Sequence, residues 1–151
     1  GSGKSLLAHA ILGIFPHNAQ VTGQMIFQGE PLTVERQAQL RGKQIALIPQ
    51  SISYLDPLMR VGSQVHRAGH LSGLPKIKAK QEVDQVFDRY SLATAVKQQY
   101  PFQISGGMAR RVLVATAAIG CAELLIADEP TPGLHPEVKS PAFATSRVVP
   151  A

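Results

Sequence analysis

The chain opens on Gly1-Ser2-Gly3-Lys4-Ser5 and runs at once into Leu6-Leu7-Ala8-His9-Ala10-Ile11-Leu12. Few five-residue stretches restrict a fold as strongly. Glycines let the backbone turn tightly, and a helix that starts beside them offers unpaired N–H groups and a partial positive charge at its N-terminus. Lys4 adds a full charge and Ser5 a hydroxyl. The stretch is the second half of the phosphate-binding pattern G-x-x-x-x-G-K-[ST], in which a strand enters a glycine-rich turn and the turn opens a helix. Such a turn belongs to an α/β fold, a mostly parallel sheet with helices on its faces. Because the chain starts inside the pattern, it is expected to be part of a longer protein.

The rest of the sequence fits that expectation. At 151 residues there is enough chain to bury a core. No apolar run approaches the roughly 20 residues that a membrane-spanning helix needs. Cys121 is the only cysteine, which excludes an internal disulfide; lying within Ala117-Ala118-Ile119-Gly120-Cys121-Ala122, it is expected to be a small buried hydrophobe. The net charge of +5 is spread along the chain, and the modest cluster Lys76, Lys78 and Lys80 reads as a solvated helix face. Aromatic residues make up 5% and do not interleave with basic ones, so a stacking platform for single-stranded nucleic acid is not supported. His66 and His70 stand four apart without neighbouring acids and read as a polar helix face rather than metal ligands.

Periodicity supplies the element order. Leu6, Leu7, Ala10, Ile11 and Ile14 follow helical spacing, and Gly13 with Pro16 closes that helix. The stretch from Val21 to Leu32 reads as a short strand pair turning at Gln28-Gly29-Glu30, and a brief helix is expected around Arg36 to Arg41. Ile45-Ala46-Leu47-Ile48 has the continuous apolar character of a buried parallel strand. From Val61 to about Ala118 helical signals dominate, with Ala79, Val83, Val86 and Phe87 forming one stripe and Ala109 to Ala118 another helix. Leu124-Leu125-Ile126-Ala127 is a strand that ends on two carboxylates, Asp128 and Glu129.

Those carboxylates complete a constellation. In open α/β sheets ligands bind at the carboxyl ends of the strands. There Asp128 suits Mg²⁺, which takes oxygen ligands and keeps several waters, and Glu129 can accept a proton from an attacking water. Lys4 can reach the β- and γ-phosphates, and the Ser5 hydroxyl can ligate Mg²⁺. Ser105, Gly106 and Gly107 precede a helix and form a second candidate anion site or an ordinary N-cap. Gln50 closes the strand Ile45-Ala46-Leu47-Ile48-Pro49-Gln50.

In the order Gly1–Ser5, Gln50, helical insertion, Tyr100-Pro101-Phe102-Gln103-Ile104-Ser105-Gly106-Gly107-Met108, then Leu124 to Pro130, the sequence resembles the ATP-binding subunits of ABC transporters. The signature with Met after two glycines is similar to that of dipeptide, oligopeptide and nickel importers. The resemblance covers residues 1 to about 138. It implies a P-loop NTPase (RecA-like) core, residues 1–49 and 119–138, incomplete at both ends, a helical subdomain at 50–118 and a divergent tail at 139–151. It also implies that Gly1, Ser2, Gly3, Lys4 and Ser5 wrap the phosphates of ATP, with Ser5, Gln50 and Asp128 serving Mg²⁺ and Gln50 and Glu129 serving hydrolysis. Ser105, Gly106 and Gly107 would cap ATP held by a second ATP-binding subunit in a head-to-tail dimer.

Further partners implied are transmembrane permease subunits and, indirectly, a substrate-binding protein, at the cytoplasmic face of the inner membrane; no nucleic acid is expected. The cargo would be peptides, nickel or metal chelates. His135 stands where the family usually has Asp, and no histidine follows it. The chain as written is therefore expected to be a weak ATPase. Two other readings stay open: a soluble ABC-type ATPase acting on nucleic acid or ribosomes, and a nucleotide-binding fragment without turnover.

Overall fold

The computed structural model describes residues 2–127 and 143–145. Helix α1 (Ser2–Leu12) is followed by a hairpin of β1 (Ile26–Phe27) and β2 (Glu30–Pro31), then α2 (Val34–Leu40) and β3 (Ile45–Ile48). Helices α3 (Val61–Leu71), α4 (Lys76–Arg89) and α5 (Gly106–Ala118) come next, with short 3-10 turns between, and the chain returns to the sheet in β4 (Leu124–Ala127) and β5 (Phe143–Thr145).

Strands β3, β4 and β5 form a parallel sheet in that order, with Ile45 opposite Leu124 and Ile48 opposite Ala127. Side chains alternate across a strand, so this register sorts β3 and β4 onto two faces. Ala46, Ile48 and Leu125 join the large cluster built with α3, α4 and α5. Ile45 and Ile126 join a smaller cluster with Ala8 and Leu12 of α1 and with Leu32. Apolar residues on both faces are what a parallel strand covered twice requires, and the continuous apolar runs in the sequence reflect it.

Local chemistry explains the element ends. The hairpin turns through Gln28 and Gly29, both at positive φ (54° and 79°), the two-residue turn whose twist matches paired strands. The Arg36 guanidinium holds that hairpin against α2, donating to the carbonyls of Phe27 (2.8 Å) and Glu30 (2.9 Å) and pairing with the Glu30 carboxylate at 3.4 Å. Thr33 caps α2, which begins two residues before the expected Arg36.

Helix α1 ends as expected at Gly13, whose N–H donates to Ala10 while that of Ile14 reaches back to His9. The buried Gln37 side chain adds a third bond, donating to the Ala10 carbonyl at 2.8 Å. Gly13 lies at φ 66°, and a Cβ there would sit 2.5 Å from Gln37 Oε1. Gly13→Ala is therefore expected to cost about 2 kcal/mol, from the left-handed backbone and the clash together. Urea unfolding would measure it; an unchanged midpoint would contradict this account.

Helix α1 forms as the spacing implied, with Leu6 exposed and Ala8 and Leu12 buried, and Ile14 lies exposed beyond its end. Residues 6–12 are apolar nearly all round, so spacing alone selects no face; contact with Leu32, Ile45 and Ile126 does. Cys121 is exposed rather than buried. It occupies the turn from α5 to β4 at φ 53°, and its neighbour Ala122 takes the core position at 2% exposure.

Candidate nucleotide-binding site

The first turn of α1 contains Ser2, Gly3, Lys4 and Ser5, so the glycine-lysine-serine stretch is itself helical. Its first N–H groups have no acceptor within the helix, and the helix dipole places positive charge at the same end. Lys4 is exposed and Ser5 partly buried. No atom lies within 4 Å of where a Gly3 Cβ would stand, so space is open beside the turn. The turn thus offers a cation, backbone donors and a hydroxyl to an anion.

Strands β3 and β4 end level, Ile48 beside Ala127. Pro49 and Gln50 therefore leave the sheet at the same edge as the end of β4, and Gln50 is exposed there. Asp128 and Glu129 follow Ala127 in sequence; together with Gly1, His135 and most of the 139–151 tail they lie outside the described residues.

Ser105 caps α5, its hydroxyl accepting the Met108 N–H at 3.2 Å. Ser105, Gly106 and Gly107 are all exposed, leaving the start of the helix open to solvent. Arg111 braces this turn. Its Nε donates to the Gly107 carbonyl (3.4 Å), and Nη1 donates to the carbonyls of Tyr90 (3.3 Å) and Ser91 (2.8 Å) at the end of α4. Sequence reasoning missed Arg111; its place one turn inside a glycine-opened helix was the available signal.

The two anion-ready turns are not brought together. Helix α1 packs on the Ile45–Ile126 face of the sheet, whereas α5 packs on the Ala46–Leu125 face. Along β3, from Arg41 to Pro49, runs an apolar groove of about 370 Å³, lined among others by Leu47, Tyr54, Leu71 and Ala117. Sequence reasoning did not anticipate it, because its walls come from segments far apart in the chain. His66 Nε2 lies 3.3 Å from the Lys76 carbonyl, and no cluster of metal-ligating side chains occurs among the described residues.

A parallel sheet covered on both faces, entered through a glycine-lysine-serine helix start, defines an α/β P-loop NTPase. The comparisons carry the assignment further: the model described as ABC transporter matches residues 1–132, and the chain belongs to that family. It is 37% identical over 147 residues to the oligopeptide transport ATP-binding protein OppD of Haemophilus influenzae, covering 93% of this chain and 46% of that protein. Identity to OppD of Lactococcus lactis subsp. cremoris is 32% over 148 residues, covering 93% and 44%. The chain thus spans less than half the length of these relatives.

Among solved structures it is similar to the ATP-binding cassette MJ0796, in a dimeric post-hydrolysis state bound to ADP and Pi. The TM-score is 0.72 at 20% identity, covering 91% of this chain and 60% of that one. It is also similar to cbiO1 of Clostridium perfringens, part of the ABC transporter complex cbiONQ. There the TM-score is 0.70 at 26% identity, covering 90% and 54%.

Proposed function

We propose that this chain is the ATP-binding and ATP-hydrolysing part of an ABC importer, with peptides as the cargo class. The observation that carries the reading is the anion-ready first turn of α1, packed on a sheet whose strands β3 and β4 end level beside Gln50. The OppD relatives, named for oligopeptide transport, support the cargo class.

The residues fit Mg²⁺ and a nucleotide. Hydroxyl, amide and carboxylate oxygens from Ser5, Gln50 and Asp128 are the hard donors that Mg²⁺ takes, and a helix N-terminus with Lys4 suits phosphate. The ion would neutralise charge on the phosphate oxygens. Gly1, Ser2 and Gly3 would lend backbone donors, and Lys4 would hold a positive charge at the phosphates. Glu129 would take a proton from water, and Gln50 would orient that water.

Ser105, Gly106 and Gly107 would serve the nucleotide of a second ATP-binding subunit. Their position on the opposite face of the sheet from α1 favours a role between chains. We divide the chain into a core at 1–49 and 119–138, a helical subdomain at 50–118 and a tail at 139–151. The groove along β3, with Tyr54 and Leu71 exposed along it, would receive a segment of a permease subunit and hold the protein at the cytoplasmic face of the membrane. A substrate-binding protein would act through that permease.

Lys4→Ala is expected to weaken Mg-ATP binding by about 2 kcal/mol, the scale of a lost charge-assisted contact. This is roughly a 30-fold rise in Kd. Fluorescent-nucleotide titration would read it, and equal affinity in variant and parent would remove the cradle from the proposal.

A further inference from the structure

A second groove, of about 500 Å³, lies away from the nucleotide site, between α3, α4 and the turn at Thr94–Gln98. Its size falls within the roughly 300–1,000 Å³ range of clefts that enclose ligands. Lys76 and Lys80 stand on one wall with Ile77; Ser63 and His66 stand on the other. Lys97 lines it too, but its charge is engaged, since it pairs with Asp84 and lies 5.7 Å over the Phe87 ring. Lys76 and Lys80 make no ion pair among the described residues. Lys76 opens α4, which has no acid in its first turn and no side-chain cap, and Lys80 lies one turn further along the same face. A lysine at the positive end of a helix is electrostatically unfavourable there, so an anion meeting Lys76 would relieve that end of α4. Ile77 is 77% exposed between them.

We propose that this groove binds an acidic, partly apolar segment of another polypeptide. Residues four apart on a helix have Cβ atoms about 5–6 Å apart. Alternate residues of an extended chain lie on one side about 6.5–7 Å apart. Two carboxylates at i and i+2 of an extended peptide can therefore meet Lys80 and Lys76 together, with apolar side chains of the same segment against Ile77 and Val83. The exposed Ile77 beside the two cations favours an apolar residue of a peptide over phosphate headgroups alone. The His66 contact to the Lys76 carbonyl ties the start of α4 to α3, while α4 itself sets the spacing of the two cations.

The test measures fluorescence anisotropy of a labelled peptide of alternating Glu and Leu with the full chain at low salt and no nucleotide, so it is independent of the nucleotide reading. Lys76→Glu with Lys80→Glu is expected to weaken binding about tenfold or more. The charge-matched pair Lys43→Glu with Arg89→Glu, on exposed sites elsewhere, is expected to change it less than about threefold. Ile77→Ala is expected to weaken binding about threefold, as loss of a partly buried apolar contact would, an effect that net charge alone cannot produce. Circular dichroism checks that each variant is folded.

Absence of binding by the parent would overturn the proposal. So would an equal loss in the control pair, or an unaffected Ile77→Ala variant. Sedimentation with phosphatidylglycerol vesicles that depends on Lys76 and Lys80, without peptide binding, would assign the surface to lipid instead.

Discussion

In a version of the chain completed at both ends, replacing Ser105 with Arg is expected to suppress phosphate release by about 100-fold or more while leaving ATP binding by the monomer nearly unchanged, since one misplaced donor at a transferring phosphoryl group costs rates of that order. Helix α5 covers the face opposite to the one α1 covers; on the proposed shared-site arrangement, a charge placed at residue 105 would perturb a nucleotide held by another chain and not the chain's own. Arg also removes the cap that accepts the Met108 N–H, which costs about 1 kcal/mol. Ser105→Asp separates the two effects, because it keeps a capping oxygen yet repels phosphate. Steady-state phosphate release and nucleotide titration on both variants decide the matter. Loss of binding together with turnover would place residues 105–107 at the chain's own cradle and end the shared-site reading.

The second large effect is on stability. Phe87 is 1% exposed within the cluster that joins α3, α4 and α5 to the sheet, and Lys97 covers its ring. Phe87→Ala is expected to cost about 3–5 kcal/mol, the sum of lost burial and an unfilled cavity. That is a large share of the roughly 5–15 kcal/mol that holds a domain together, and corresponds to a fall in Tm of about 10 °C. Phe102, 73% exposed and stacked on Tyr100, is the control; its replacement by Ala is expected to stay within about 0.5 kcal/mol. Urea unfolding of both variants measures the difference, and a Phe87→Ala cost below about 1 kcal/mol would refute the described packing.

What could be read from the sequence divides along physical lines. The α4 stripe of Ala79, Val83, Val86 and Phe87 is buried as its spacing implied, because polar residues alternate with it and leave a single apolar face. Helix α1 offers no such contrast, and only its tertiary partners choose Ala8 and Leu12 over Leu6 and Ile14. The parallel strands were legible because burial on both faces removes polar residues from the run. Cys121 was misread since an apolar neighbourhood in sequence says nothing about a turn at positive φ. Motif order is what proposes Lys4, Ser5 and Gln50 as site residues, whereas both grooves, Arg111 and the Gln37 bond to Ala10 depend on contacts between distant segments.

The pairing of Ile45–Ile48 with Leu124–Ala127 also has a consequence in time. The two strands are separated by the whole of α3, α4 and α5, so their register forms only after a long loop has closed, and such non-local pairing is entropically costly and slow. Helices α3 to α5, held by nearer contacts, need not wait for it. In a chain emerging from the ribosome, Gln50 is made before β4 and gains its neighbouring strand only once β4 has been synthesised. The sheet edge on which the nucleotide reading depends therefore exists only after α3, α4 and α5 have been made.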